Sequence, residues 1–213
     1  MQRLEKFSSI FLIAGLGFFA FSVFVQGVSG WWLLRDIPTK TIAEISQEVI
    51  PEFYQLAEDY PEEFKRYFSE PAASSFAEAL RLGRDTYIAE ACWHCHSQYV
   101  RPVANESLRF GTVSVASEYQ NELNLPHLFG TRRVGPDLIR ESGKHSNDWH
   151  VAHFYNPTWV VPTSVMPRFT WFFDEKGRPN KRGLAVVSYV QWLGSWSRTV
   201  PESIYNIEAI RGE

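Results

Sequence analysis

Two cysteines and a histidine stand at a spacing that few kinds of site require, in the run Cys92-Trp93-His94-Cys95-His96. In a Cys-x-x-Cys-His sequence the two thiols add to the vinyl groups of a haem and form thioethers. The histidine that follows becomes an axial ligand of the iron. The spacing therefore predicts one covalently bound haem c, with His96 as the proximal ligand.

Thiol redox enzymes and zinc proteins also use paired cysteines, and both are alternatives to haem. A thioredoxin-like pair lies in a βαβ context, whereas the sequence before Cys92 has helical periodicity. A zinc site needs two further ligands and leaves the adjacent His96 unexplained. Both cysteines of the chain belong to the motif, so none is left for a disulfide. The histidines available to zinc are His94, His127, His145, His150 and His153.

An iron held by His96 needs a sixth ligand or an open position. Apart from Met1 the chain has one methionine, Met166, and Pro167 restrains it toward the extended conformation of a loop. A thioether ligand raises the reduction potential relative to a second imidazole. We predict Met166 as the second axial ligand, with a core-filling methionine as the alternative. The competing ligands are His127, His145, His150 and His153.

The second ring nitrogen of a ligating histidine needs a hydrogen-bond partner that fixes the ring. In Gly135-Pro136-Asp137-Leu138 the Pro136 carbonyl is the candidate acceptor and Leu138 is expected to pack on the macrocycle edge. This arrangement is similar to the Gly-Pro-x-Leu element of class I cytochromes c, and an ordinary turn is the alternative. Guanidinium groups match haem propionates in bidentate geometry. The candidate arginines are Arg101, Arg132 and Arg133.

Two helices are predicted to position these groups. A capping-box pattern begins at Ser75, and apolar residues recur at helical spacing from there to Cys92. A second helical pattern covers residues 182–196. The intervening sequence is dense in Gly, Pro, Asn and polar residues, which predicts long loops with short helices.

His150 and His153 are three residues apart in a segment with the pattern of a helix start. Both therefore fall on one helix face, where a pair of imidazoles can hold a metal. The segment offers no obvious cysteine or carboxylate partner, so packing in a loop or interface is favoured over a metal site.

The N-terminal segment lacks charge over a length that fits a membrane. No charged side chain occurs across residues 7–34. Its most apolar part, residues 10–28, approaches the roughly 20 residues that a helix needs to cross a bilayer. Trp31 and Trp32 fall where an aromatic belt lies. A cleaved signal peptide ending at the small residues of 27–30 is the alternative, but length and the Trp pair favour an anchor.

Positive charge at Arg3 and Lys6 predicts a cytoplasmic N-terminus and an exported haem domain. The expected location is the bacterial inner membrane, single-pass, with the haem domain on the periplasmic face. The predicted fold class is all-α: one transmembrane helix followed by a class I-like cytochrome c domain with long loops. We divide the chain into an anchor at 1–35, an acidic helical connector at 36–78 and the mono-haem domain at 79–213.

In residues 36–78 acidic side chains outnumber basic ones, and prolines divide the segment into short pieces. A solvated helical connector is the favoured interpretation, and a docking face for a basic electron-transfer partner is the alternative. The formal net charge of the chain is −3, which argues against a nucleic-acid partner.

Several short motifs follow one another between about residues 80 and 195. They are Gly83-Arg84-Asp85-x-Tyr87, Cys92-x-x-Cys95-His96-Ser97-Gln98, Arg101-Pro102, Gly130-Thr131-Arg132-Arg133-x-Gly135-Pro136-Asp137-Leu138, Asp148-Trp149-His150-x-x-His153 and Met166-Pro167. As an ordered set they resemble the mono-haem cytochrome c subunit (subunit II) of cbb3-type cytochrome c oxidases. The sequence departs from that family at Phe129, at Tyr99 and Val100, and at Trp93-His94, which bears on subtype more than on haem binding.

The resemblance implies a relay that passes electrons through one haem c to the haem b of a membrane-embedded haem-copper catalytic subunit. Oxygen would be reduced there, so no oxygen-reducing site is expected in this chain. It implies Cys92 and Cys95 as thioether sites, His96 and Met166 as axial ligands, and Pro136 as the acceptor for His96. Further expected partners are a second cytochrome c subunit or a soluble electron donor, and the lipid bilayer.

Three other functions stay open at this point. The anchored mono-haem subunit of a nitric oxide reductase, from the same wider superfamily, has the same architecture, and its catalytic partner would carry non-haem iron in place of copper. A free-standing, membrane-tethered cytochrome c shuttle has the same architecture. A thiol or zinc protein would carry no haem at all.

Overall fold

The structure is a computed structural model that describes residues 2–130 and 133–199. Within these ranges β-structure is confined to two isolated bridges, so the predicted all-α class is confirmed. The α-helices are α1 (Gln2–Val23), α2 (Ser29–Leu34), α3 (Ile42–Ile45), α4 (Pro51–Asp59), α5 (Pro61–Phe68), α6 (Ala73–Ala89), α7 (Cys92–Cys95), α8 (Glu106–Phe110), α9 (Asn147–Tyr155) and α10 (Lys181–Trp192). Short 3-10 helices lie at Ala116–Tyr119, Pro157–Trp159, Thr170–Phe172 and Ser195–Thr199.

The chain divides into two compact units, Met1–Thr39 and Lys40–Glu213. In the first unit a π-helical segment, Phe24–Val28, joins α1 to α2. An 18-residue stretch within Phe7–Leu33 has a mean hydropathy of 2.2, and Phe7–Leu33 is long and apolar enough to cross a membrane. This agrees with a membrane-anchored chain, as the sequence predicted.

The second unit is built around the packing of α6 on α10. Gly83 of α6 lies so close to α10 that a Cβ there would stand 2.1 Å from the Ala185 carbonyl oxygen and 2.6 Å from the Tyr189 Cβ. Leu80 and Leu184 are completely buried beside this crossing. The two helices predicted from periodicity therefore form the centre of the core.

The predicted start of the first of these helices is wrong. α6 begins at Ala73, so Ser75 lies in its first turn. The Ser75 hydroxyl accepts a hydrogen bond from the Ala72 backbone N–H at 2.9 Å. Ser75 therefore satisfies an N–H group that precedes the helix, instead of capping the helix from outside.

The acidic segment before α6 adds aromatic side chains to the core that α6 and α10 share. Phe53 of α4 packs against Phe64 of α5 with 5.1 Å between ring centroids, and against Phe76 of α6 at 4.8 Å. All three rings are buried. Pro51 and Pro61 each begin a helix, where the missing N–H costs nothing, so the prolines fix where α4 and α5 start.

Glu141 lies in the loop after the Gly-Pro-x-Leu segment and is only 6% exposed. Its carboxylate oxygen is 3.7 Å from His145 Nε2. Burial raises the pKa of Glu141 to about 7, and the nearby Lys144 opposes this shift only in part. The folded chain therefore holds this carboxyl protonated in a pH range where an unfolded chain ionises it.

Replacing this acid with its neutral isostere, Glu141→Gln, is expected to flatten the pH dependence of stability. The folded-state pKa is raised above the unfolded value of 4.5, so the stabilisation is complete below pH 4.5 and is lost as pH rises through about 7. Above pH 7 the loss in the free energy of unfolding amounts to roughly 2–3 kcal/mol. Urea unfolding at pH 5 and pH 8 measures it; equal pH dependence in the parent and Glu141→Gln would contradict the prediction.

Candidate haem c site

The two thiols stand on a single helical turn. Ala91 adopts a left-handed conformation with φ of 57°, which turns the chain sharply after α6 and starts α7 at Cys92. Cys92 and Cys95 are three residues apart in this turn, so their side chains share a face. Both thiols are free, Cys92 half-buried and Cys95 exposed. Burial raises the pKa of the Cys92 thiol to about 12.

His96 is held by the backbone of a segment forty residues away. Its Nδ1 lies 2.9 Å from the Pro136 carbonyl oxygen, a separation at which Nδ1–H donates to the carbonyl. That bond leaves Nε2 with the free lone pair that a metal needs. Burial lowers the pKa of His96. The hydrogen bond to Pro136 and the charge of Asp137 raise the pKa by less, so the neutral ring is favoured.

Gly135 makes room for this imidazole. A Cβ at position 135 would stand 2.2 Å from His96 Cε1 and 2.7 Å from Nδ1. The ring therefore lies directly against the main chain of the Gly-Pro-x-Leu segment. Two free thiols on one turn, followed by a neutral imidazole with an available Nε2, are the donor set that a c-type haem requires, so the residues fit that group.

Asp137 connects the segment that follows the haem motif to the Gly-Pro-x-Leu segment. It is buried and accepts the backbone N–H groups of Tyr99 and Ile139, each at 2.9 Å. The Ser97 hydroxyl also donates to it. Sequence reasoning assigned Asp137 no role, because an acidic residue at the variable position of Gly-Pro-x-Leu resembles an exposed turn residue.

Arg133 extends the network to Glu106. Its guanidinium donates to Ser97, the Tyr99 carbonyl and Glu106, and lies 3.3 Å from Asp137. Arg101 binds the same Glu106 carboxylate through Nε at 2.7 Å. Burial opposes ionisation of Glu106, but the hydrogen bonds from Arg133 and the Arg101 backbone lower its pKa to about 2.

Two of the three arginines proposed to bind haem propionates thus have protein partners. Arg101 and Arg133 both pair with Glu106, and Arg132 lies outside the described residues. Sequence reasoning missed Glu106, since it lies five positions after Arg101 and nothing local marks it as buried.

Met166 lies in the loop between the 3-10 helices Pro157–Trp159 and Thr170–Phe172. It is half-buried and packs against the core, as Leu138 does. Its backbone N–H donates to the Ser164 hydroxyl at 3.2 Å, which tightens the loop before Pro167. The assignment of Met166 as a ligand stays a prediction.

The competing histidines are engaged in packing. His127 Nδ1 lies 2.9 Å from the Asn124 carbonyl oxygen, and its ring stacks on Phe129 at 4.8 Å. Trp149 is sandwiched between His145 at 3.8 Å and His153 at 4.7 Å.

His150, the other member of the pair, is buried, and its Nε2 has no hydrogen-bond partner in the described part of the chain. Burial, helped by His145 and His153, lowers its pKa to about 3. No group of three or more His, Cys, Asp or Glu side chains among the described residues is arranged to hold a metal ion.

Tyrosines connect the haem segment to the helical core. The Tyr87 hydroxyl of α6 donates to the His96 carbonyl at 3.0 Å, and its ring meets Tyr189 of α10 at 5.5 Å. The Tyr189 hydroxyl lies 3.1 Å from the Gln98 side-chain nitrogen. The crossing of α6 and α10 therefore supports His96 and Gln98, at the C-terminal end of the haem segment.

Residues 48–195 match the protein family described as cytochrome c oxidase, mono-heme subunit/FixO. The chain belongs to the FixO family. The match includes α7, the Gly-Pro-x-Leu segment and the Met166 loop, and it confirms the family predicted from the ordered motifs. Membership implies one haem c and association with the catalytic subunit of the oxidase. No curated protein sequence matches this FixO chain significantly.

Proposed function

We propose that this FixO-family chain relays electrons through one haem c to the haem b of a membrane-embedded haem-copper catalytic subunit. The observation that carries the proposal is the hydrogen bond from His96 Nδ1 to the Pro136 carbonyl, 2.9 Å long, directly after two free thiols. It orients the imidazole and leaves Nε2 available, which a thiol enzyme does not need.

In this proposal Cys92 and Cys95 would hold the haem covalently through thioethers, and His96 and Met166 would bind its iron. A bound haem supplies one-electron chemistry between ferric and ferrous iron. Pro136 and Gly135 fix the imidazole plane, while the Asp137 network holds the surrounding main chain. Such a rigid site keeps its geometry in both oxidation states, which is what a relay without ligand exchange requires.

The proposed arrangement places α1 and α2 across the bacterial inner membrane as a single pass, with the haem domain on the periplasmic face. The charges at Arg3 and Lys6 support this orientation. Electrons would arrive from a further cytochrome c subunit or a soluble donor. The family match favours this function over a nitric oxide reductase subunit or a free-standing shuttle.

Replacing the proposed sixth ligand by a residue of similar volume, Met166→Leu, is expected to lower the reduction potential and change the visible spectrum. The thioether favours ferrous iron, and leucine offers no donor atom. Potentiometric titration of the purified chain measures the shift, with Val165→Leu, at an exposed neighbouring position, as the control. A spectrum identical to the parent's would remove Met166 from the ligand set.

The proposal is tested by tagging the full chain in its native membrane, purifying it in mild detergent and recording a reduced pyridine haemochrome spectrum. Haem c accompanied by haem b is the expected result, because the catalytic subunit carries haem b. Haem c alone would favour a tethered shuttle. A chain without haem would overturn the proposal, and analysis of copper against non-haem iron separates the oxidase from the reductase.

A further inference from the structure

A cavity of about 520 Å³ lies beside the segment that holds His96. Three arginines line it, Arg101, Arg109 and Arg133, and its wall includes the main chain of Gly135 and Pro136. The Pro136 carbonyl is the group that binds His96 Nδ1. The cavity therefore adjoins the segment that holds the proposed haem ligand.

The positive charge of this cavity exceeds the negative charge that the described residues supply. Glu106 serves both Arg101 and Arg133, and Asp137 also accepts from Arg133. Arg109 forms no ion pair with a described residue. Arg101 donates through Nε, and no described acceptor binds its terminal nitrogens. Unused guanidinium donors thus face a concave space.

The Phe110 ring lies against two of these guanidinium groups. The Arg109 Cζ lies 4.8 Å from the ring centroid and the Arg133 Cζ lies 5.0 Å from it. Phe110 itself is buried. Placing two cations against one ring limits their freedom in advance, which reduces the entropy lost when an anion binds.

Exposed apolar side chains occur in the segments that line the cavity, and Val134 is itself part of the lining. Leu108 is 89% exposed, Val103 54% and Val134 56%. Leu108 directly precedes Arg109 on α8, and both side chains are exposed to a partner at the surface. Arginine within an apolar surround is typical of protein interfaces, in which the surround excludes water from the charged pair.

We propose that this cavity docks carboxylate side chains of the oxidase's catalytic subunit, with Arg109 as the main anchor. The inference rests on the proposed function, since it assigns a surface to that partner. A guanidinium fork matches a carboxylate in bidentate geometry. A partner bound here would lie against the main chain that fixes His96, which is where a relay needs its acceptor. Charge pairing of this kind also sets orientation and association rate.

The test compares the full chain with charge-reversed variants, each purified from native membranes in mild detergent at increasing salt. Arg109→Glu removes the anchor, and Arg109→Gln repeats the test without adding a negative charge. Arg81→Glu is the matched control, because Arg81 is exposed on α6 and does not line the cavity. The readouts are haem b recovered per haem c, the haem c content per chain, near-ultraviolet circular dichroism and the phospholipid retained.

The expected result is a roughly ten-fold lower recovery of haem b with both Arg109 variants, at unchanged haem c content and fold. Arg81→Glu should behave as the parent. Equal recovery for Arg109→Glu and Arg81→Glu would overturn the inference while leaving the relay intact. Loss of haem c would also overturn the inference, since the cavity would then serve the haem. Loss of phospholipid with haem b retained would overturn it as well, since the cavity would then serve the membrane. A parent chain without haem b would overturn the proposed function itself.

Discussion

Replacing Gly135 with alanine is expected to reduce covalent haem incorporation roughly ten-fold. The new methyl group would stand 2.2 Å from His96 Cε1, well inside contact distance, and the imidazole ring cannot bend away. Either the ring or the main chain must move, and the bond from Nδ1 to the Pro136 carbonyl is lost. Overpacking of this kind costs about 1–3 kcal/mol, and 1.4 kcal/mol corresponds to a factor of ten. Haem staining after denaturing electrophoresis, normalised to the amount of chain, measures the loss.

A matched control is Gly30→Ala, because a Cβ at position 30 meets nothing within 4 Å. It should incorporate haem as the parent does. Urea unfolding of Gly135→Ala separates a local effect from general destabilisation, since a chain that keeps its stability but loses haem has lost the orientation of His96. Normal haem content in Gly135→Ala would show that the Pro136 bond does not position the ligand.

The parts of this site that sequence reasoning reached are those encoded within a few residues. Cys92, Cys95 and His96 carry their chemistry in their spacing, and the Gly-Pro-x-Leu motif carries its acceptor in one turn. The structure brings these two motifs together, with His96 Nδ1 2.9 Å from the Pro136 carbonyl. Such a long-range contact can be predicted because each of its two partners lies in a short motif that is recognisable by itself.

The charged network that joins the haem segment to its neighbours could not be predicted from local motifs. Glu106, Arg133 and Asp137 are ordinary polar residues of loops and short helices in the sequence. Each is costly to bury alone, and only their mutual pairing makes burial possible. That pairing depends on the folded path of three segments. The aromatic core of α4 and α5 was missed for a related reason, since two short helices between prolines show too few apolar repeats for a periodic signal.

These observations separate the roles of two kinds of interaction around His96. Backbone contacts at Gly135 and Pro136 determine where the imidazole points. The ion pairs around Glu106 join the flanking loops, and among the described residues none of these pairs includes the exposed Arg109. A relay of electrons needs both a rigid ligand and an accessible partner surface, and the same cavity wall connects them.

Replacing Gly83 with alanine is expected to destabilise the fold by about 2 kcal/mol or more. Alanine gains up to about 1 kcal/mol in helix propensity over glycine. Its methyl group, however, would stand 2.1 Å from the Ala185 carbonyl oxygen and 2.6 Å from the Tyr189 Cβ. The nearest atom belongs to the main chain of α10, so no side-chain rotation relieves the overlap and the two helices must separate. Overpacking and the opened core outweigh the gain in propensity.

The separation should also reach the haem segment. Tyr189 meets Tyr87 at 5.5 Å, and the Tyr87 hydroxyl donates to the His96 carbonyl, so a displaced α10 withdraws support from His96. Urea unfolding followed by circular dichroism measures the loss of stability, with Arg81→Ala on the exposed face of α6 as the control. If Gly83→Ala unfolds at the same urea concentration as that control, the close approach of α6 and α10 does not limit the stability of the core. A stable Gly83→Ala chain with lowered haem content would instead place the effect in the tyrosine contacts alone.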